Sequence, residues 1–235
     1  MLIRVPWRSL LVGLAAVVLT AAAPAPLLYS RHTILQGEVW RLLTCHLVHG
    51  TFNHLLWDVL PLLGVGVLFE RSLKDRFWSV LAVSSVVVCS GLLVLQPDLP
   101  TYCGLSGVLN GLWVAGCLSA ARDERSAGSP AVAALYQACV LALMGKIAFE
   151  AVTGAPLFTD PSRLGGVAVP MAHALGALGG VLALPPRAAS VFRSSCRVPL
   201  GVLFRVVIRT RTPGRQVDRL KAAGIQLVGF GLRHM

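Results

Sequence analysis

Ser106 stands between Gly104 and Gly107 in a Gly-Leu-Ser-Gly run at the start of a long apolar stretch, and His173 stands alone on an apolar segment further along the chain. A serine hydroxyl becomes a nucleophile when a base within hydrogen-bond reach takes its proton, and histidine is the side chain whose ordinary pKa suits that work near neutrality. Taken singly, neither residue is diagnostic. A serine in an apolar helix commonly bonds back to the carbonyl one turn earlier, and a lone histidine is commonly a satisfied packing residue. Gly104 and Gly107 change the weight of Ser106. Small neighbours at a helix start allow close backbone approach and leave N–H groups unpaired that could hold an oxyanion. Ser106 as nucleophile and His173 as general base form the sharper hypothesis.

Other polar residues fall where apolar ones predominate, and inside a bilayer such residues mark pairs, cavities or chemistry. His46, His49, Asn53, His54 and Asp58 precede or open one apolar run, Asn110 lies one turn beyond Ser106, and Lys146 and Glu150 lie one turn apart. His54 and the Ser106 backbone N–H are the expected oxyanion donors. The sequence places no carboxylate to orient His173, so a dyad is expected, with Asp160 in the preceding loop left open. Lys146 and Glu150 read as a neutralising pair on one helix face. The three histidines with Asp58 have metal-ligating chemistry, but the expectation is neither metal nor cofactor. The six cysteines include no Cys-x-x-Cys pair, and Cys89, Cys117 and Cys139 lie within apolar runs as small soft hydrophobes, so no disulfide framework is inferred.

The elements that would position these groups follow from composition. Of the 235 residues, 55% are hydrophobic and 13% charged, about half the charge of an ordinary soluble domain. Apolar runs predict crossings near 7–28, 46–69, 77–96, 105–121, 131–152 and 168–185. The expected architecture is all-α, a polytopic bundle of six transmembrane helices over 1–186, with a basic cytoplasmic tail over 187–235. The first run exceeds a signal-peptide core and is expected to remain as a helix. A net charge of +11 could suggest nucleic acid, but Arg4, Arg8, Arg71, Lys74, Arg76, Arg122, Arg125 and the tail would all fall on one side of such a bundle, leaving Arg31, Arg41 and Arg163 opposite. That asymmetry places both termini in the cytoplasm and makes the lipid bilayer, not nucleic acid, the partner. Residues 31–45, with Trp40 among polar neighbours, should lie at the membrane interface, and Gly104, Gly107, Gly111, Gly176, Gly179 and Gly180 offer small faces for close helix approach.

The ordered set Trp40-Arg41, His49 with His54, Glu70-Arg71, Gly104-Leu105-Ser106-Gly107, and Ala172-His173 with Gly176 and Gly180 resembles the rhomboid family of intramembrane serine proteases from about Trp40 to Gly180. The resemblance implies Ser106 as nucleophile, His173 as base and His54 as oxyanion donor. The implied substrates are single-pass or tail-anchored membrane proteins, cut in or beside a transmembrane segment, with the bacterial inner membrane as location. Two positions depart from the family. Asp58 stands where active rhomboids carry an oxyanion Asn, and Asn110 stands where a Tyr often stacks on the histidine. An ionised Asp58 would repel an oxyanion unless it is protonated or engaged elsewhere. His-Leu-Val-His, the Tyr102–Leu112 phrase and Lys146-x-x-x-Glu150 are similar to the rhombosortase branch, which processes C-terminal sorting tails. A non-catalytic helix-binding rhomboid-like protein and a small transporter or channel are the rival classes.

Overall fold

The computed structural model describes residues 5–22, 25–154, 157 and 169–185. In chain order the elements are α1 (Trp7–Ala22), a 3-10 turn (Ala25–Leu27), β1 (Tyr29–Ser30), α2 (Arg31–Leu35), α3 (Arg41–Thr44), a second 3-10 turn (Cys45–Leu47), α4 (Phe52–Leu73), α5 (Arg76–Leu95), β2 (Thr101–Tyr102), α6 (Ser106–Ser126), α7 (Pro130–Thr153) and α8 (Pro170–Leu182). The fold is an all-α membrane bundle in which α1, α4, α5, α6, α7 and α8 overlap the six apolar runs. By length and composition α4, α5 and α7 can each cross a bilayer, while α1 and α8 are shorter apolar helices. The tail from 187 onward, Asp160 and Arg163 lie outside the described residues.

The two boundaries that differ most from the sequence expectation each do so for a local reason. The first helix ends at Ala22 instead of reaching residue 28; Pro26 then lies in the 3-10 turn, where its missing N–H breaks no α-helical bond. The second long helix begins at Phe52, not at residue 46, because Thr51 caps it: its Oγ1 accepts the His54 N–H at 3.1 Å. His46 and His49 therefore lie in the segment before the helix. The expected interfacial piece over 31–45 folds as α2 and α3. It is held by Arg41, which is buried and donates to Glu38 Oε2 (2.5 Å), Ala25 O (3.0 Å) and Leu28 O (2.8 Å).

Helix α6 is the hub, packed against α4, α5, α7 and α8. Its residues from Gly107 to Ala121 are almost all buried, so its apolar surface is spent on protein contacts rather than lipid. The α6–α8 contact is the tightest. A Cβ on Gly107 would sit 2.9 Å from the Ala172 carbonyl oxygen, and one on Gly176 would overlap the Gly107 carbonyl. One turn further on, a Cβ on Gly180 would overlap the Gly111 carbonyl. Backbone lies against backbone here, as small-residue interfaces in membranes allow. At the opposite corner, the Glu70 carboxylate of α4 accepts the Ser9 N–H at 2.7 Å and the Arg8 N–H at 3.4 Å. These first-turn donors of α1 have no intrahelical acceptor, and a buried carboxylate also complements the helix dipole.

Replacing Gly176 by Ala should therefore force α8 away from α6 and lower stability by at least about 2 kcal/mol, the scale of an overpacked core. Gly64→Ala, where nothing lies within 4 Å, should be neutral or stabilising. Thermal unfolding of both variants in detergent checks the contrast.

Candidate active site

The start of α6 and the start of α8 meet at one end of the bundle. Ser106 is the first residue of α6 and His173 lies in the first turn of α8, three residues before Gly176. Because Gly107 and Gly176 let the two backbones touch, Ser106 Oγ lies 3.2 Å from His173 Nε2. Both residues are half-buried. The other imidazole nitrogen, Nδ1, lies 2.7 Å from Glu150 Oε2 on α7. No carboxylate was expected here from the sequence, and the pairing corrects the reading of Glu150 as only a partner of Lys146. The Lys146–Glu150 pair is present as well, Nζ to Oε2 at 3.0 Å. The sequence offered no signal for the His173 contact, since the two residues lie 23 positions apart on different helices.

The loop carrying the nucleophile is pinned from three directions. Gly104 has φ +107°, and a Cβ there would lie 2.6 Å from His54 Nε2, so only glycine fits both the backbone and the packing. Its N–H donates to the Cys45 carbonyl at 3.0 Å, and its carbonyl lies 3.2 Å from His46 Nδ1 and accepts from Tyr102 Oη at 3.5 Å. Antiparallel pairing of β1 with β2 (Tyr29 with Tyr102, Ser30 with Thr101) ties the same loop to the segment before α2. From below, Asp58 Oδ2 accepts the Leu105 N–H at 2.7 Å.

Asp58 is 4% exposed and its Oδ2 also lies 3.1 Å from His49 Nε2 and 3.5 Å from His54 Nε2. Of the two ways in which an Asp could be tolerated at this position, this geometry is engagement elsewhere: the carboxylate serves as acceptor for the loop. His49 in turn reaches Thr20 of α1 through Nδ1 at 3.4 Å. His54 keeps Nδ1 buried with no hydrogen-bond partner among the described residues. The Ser106 N–H belongs to the first turn of α6, where no intrahelical acceptor is available. Asn110, one turn after Ser106, donates from Nδ2 to the Ser106 carbonyl at 2.6 Å.

Two groups at this end have metal-ligand chemistry, Cys45 with His46 and Cys89, and His49 with His54 and Asp58, each with ligand atoms within 4.8 Å of one another. In the first group the Cys45 and Cys89 sulfurs are 3.3 Å apart and Cys89 Sγ is 3.4 Å from His46 Nε2. Burial pushes the Cys103 thiol up to about 11.

Comparison with known proteins bears on what this arrangement does. The profile of the rhomboid domain family matches residues 36–188. A protein named "Putative rhomboid protease YdcA", from Bacillus subtilis (strain 168), is 36% identical over 81 residues, which span 34% of this chain and 41% of that relative. The chain thus matches less than half of the relative's length. No solved structure matches the chain.

If Asp58 holds the loop, Asp58→Leu should destabilise the protein by about 1–3 kcal/mol, the cost of orphaning the buried Leu105 N–H. Asp58→Asn, which keeps an acceptor oxygen, should retain most of that stability. Denaturation midpoints of the two variants in the same detergent test this.

Proposed function

The chain belongs to the rhomboid family of integral membrane proteins, and from that premise we propose that it is a serine endopeptidase that cuts a peptide bond within or beside a transmembrane segment. The observation that carries this reading is the 3.2 Å separation of Ser106 Oγ and His173 Nε2, a nucleophile and a base within hydrogen-bond reach at a bundle end lined by polar groups. In this mechanism His173 Nε2 takes the hydroxyl proton as Ser106 Oγ bonds to the scissile carbonyl carbon. The negative charge that develops on the carbonyl oxygen is met by the N–H groups at the start of α6 and by His54. His173 then gives its proton to the departing amine. A water molecule, deprotonated by the same imidazole, releases the acyl group and restores Ser106.

Orientation follows from charge. With the termini in the cytoplasm of a bacterial inner membrane, the basic residues gather on the inner face and the Ser106 end of the bundle faces outward. Residues 1–186 then form the membrane domain and 187–235 a basic tail on the anionic inner surface. A substrate helix hides its carbonyls in its own hydrogen bonds, so it must unwind before it can react, which favours small or helix-weakening residues at the cut. Single-pass and tail-anchored proteins present such a segment. Lys146-x-x-x-Glu150 and the Tyr102–Leu112 phrase support the narrower assignment to sorting-tail processing of the rhombosortase kind.

A fluorophosphonate probe reacts with an activated serine, so the purified protein should be labelled while Ser106→Ala and His173→Ala should each lose labelling by about 100-fold or more. A folded wild type that takes no label would sink the protease reading. Products of cleaved substrates should map to the outer-leaflet end of a transmembrane segment, and cuts in cytoplasmic loops would contradict the orientation.

A further inference from the structure

We propose that Glu150 is a positioning residue for His173, making the site a serine–histidine–glutamate relay, with Lys146 as the competitor that Glu150 must outbid for the imidazole. The inference rests on the protease reading above and adds the group that sets the state of its base.

Glu150 is 1% exposed in the last turn of α7, where an ionised carboxylate persists only if its oxygens are met by donors. Its partners among the described residues are a backbone N–H, an ammonium group and an imidazole nitrogen. Oε1 accepts the Leu157 N–H at 3.0 Å; Oε2 faces Lys146 Nζ at 3.0 Å and His173 Nδ1 at 2.7 Å. A neutralising ion pair would need only the lysine. The short contact to Nδ1 is what gives the carboxylate a role at the site.

The chemistry turns on which imidazole nitrogen holds the proton. To accept from Ser106, Nε2 must offer its lone pair, so the neutral ring must carry its hydrogen on Nδ1. Two groups compete for Nδ1. Glu150 Oε2 can only accept, and so favours Nδ1–H, the productive tautomer. Lys146 Nζ, 3.2 Å from the same nitrogen, can only donate. It favours a bare Nδ1, which moves the hydrogen to Nε2 and leaves Ser106 without a base. The carboxylate lies closer and carries the opposite charge to the imidazolium formed during the reaction, so it selects the tautomer and stabilises that cation, the work the third residue does in soluble serine hydrolases. Lys146 in turn keeps the Glu150 carboxylate neutralised inside the bilayer.

The test uses the full chain in detergent, with fluorophosphonate labelling rate as one readout and the nitrogen NMR spectrum of labelled histidine, assigned to His173 by comparison with His173→Ala, as the other. Wild type should show Nδ1–H. Glu150→Gln should shift the ring toward Nε2–H and slow labelling of Ser106 by about 100-fold, and Glu150→Asp should restore part of the rate. Removing the competitor as well, in Lys146→Met/Glu150→Gln, should recover about tenfold over Glu150→Gln alone, a rescue that a purely structural carboxylate would not produce. A wild-type ring protonated on Nε2, or a folded Glu150→Gln labelled at the wild-type rate, would overturn the proposal. If Glu150→Gln does not fold, the wild-type spectrum decides. Absence of labelling in wild type with an Nδ1–H ring would count against the protease reading alone.

Discussion

The separation of Ser106 and His173 depends on a contact between two glycines. Ser106 adjoins Gly107, His173 lies three residues before Gly176, and a side chain on Gly176 would overlap the Gly107 carbonyl. Helix axes packed through ordinary side chains lie about 8–10 Å apart, and dispersion between close backbones is the main attraction available where lipid removes the hydrophobic drive between helices. The repeat of the contact at Gly111 and Gly180 makes it a line rather than a point. It fixes the rotation of α8 about its axis as well as its distance from α6, so His173 faces Ser106 along a defined direction.

That contact would be of little use if the nucleophile loop moved, and the loop is held by groups that each satisfy a buried backbone atom. Asp58 takes the Leu105 N–H, Cys45 takes the Gly104 N–H, and His46 and Tyr102 meet the Gly104 carbonyl. Buried backbone polar groups are expensive to leave unpaired, more so in a low dielectric. The segment before α4, which looks from its histidines like part of a catalytic or metal-binding cluster, is thus largely a brace. Asp58 illustrates how a residue that appears hostile to an oxyanion can be accommodated: its Oδ2 accepts the Leu105 N–H and lies beside the His49 and His54 imidazoles.

Charge inside the bundle follows one rule throughout. Arg41 is spent on loop carbonyls and Glu38, Glu70 on the first-turn N–H groups of α1, and Glu150 on Lys146, His173 and Leu157. Each buried charge ties together segments distant in sequence, which is how a thin-walled helical bundle with few polar side chains can hold its loops in place.

The sequence by itself determined the number and placement of the long helices, because a bilayer demands apolar runs of a certain length and those runs are written directly in composition. It also determined the candidate pair Ser106 and His173 and the glycine faces that could join them, since small residues on apolar helices have few other uses. It misjudged where α1 ends and α4 begins, because a 3-10 turn and a threonine cap act over a few residues beneath the resolution of a hydropathy pattern. Only the tertiary structure decided the partners of the buried carboxylates. Whether Glu150 meets Lys146 alone or His173 as well, and whether Asp58 faces an oxyanion or the Leu105 N–H, depends on how α4, α6, α7 and α8 are rotated against one another. That rotation is set by interlocking surfaces on several helices at once, and no local run of residues contains it.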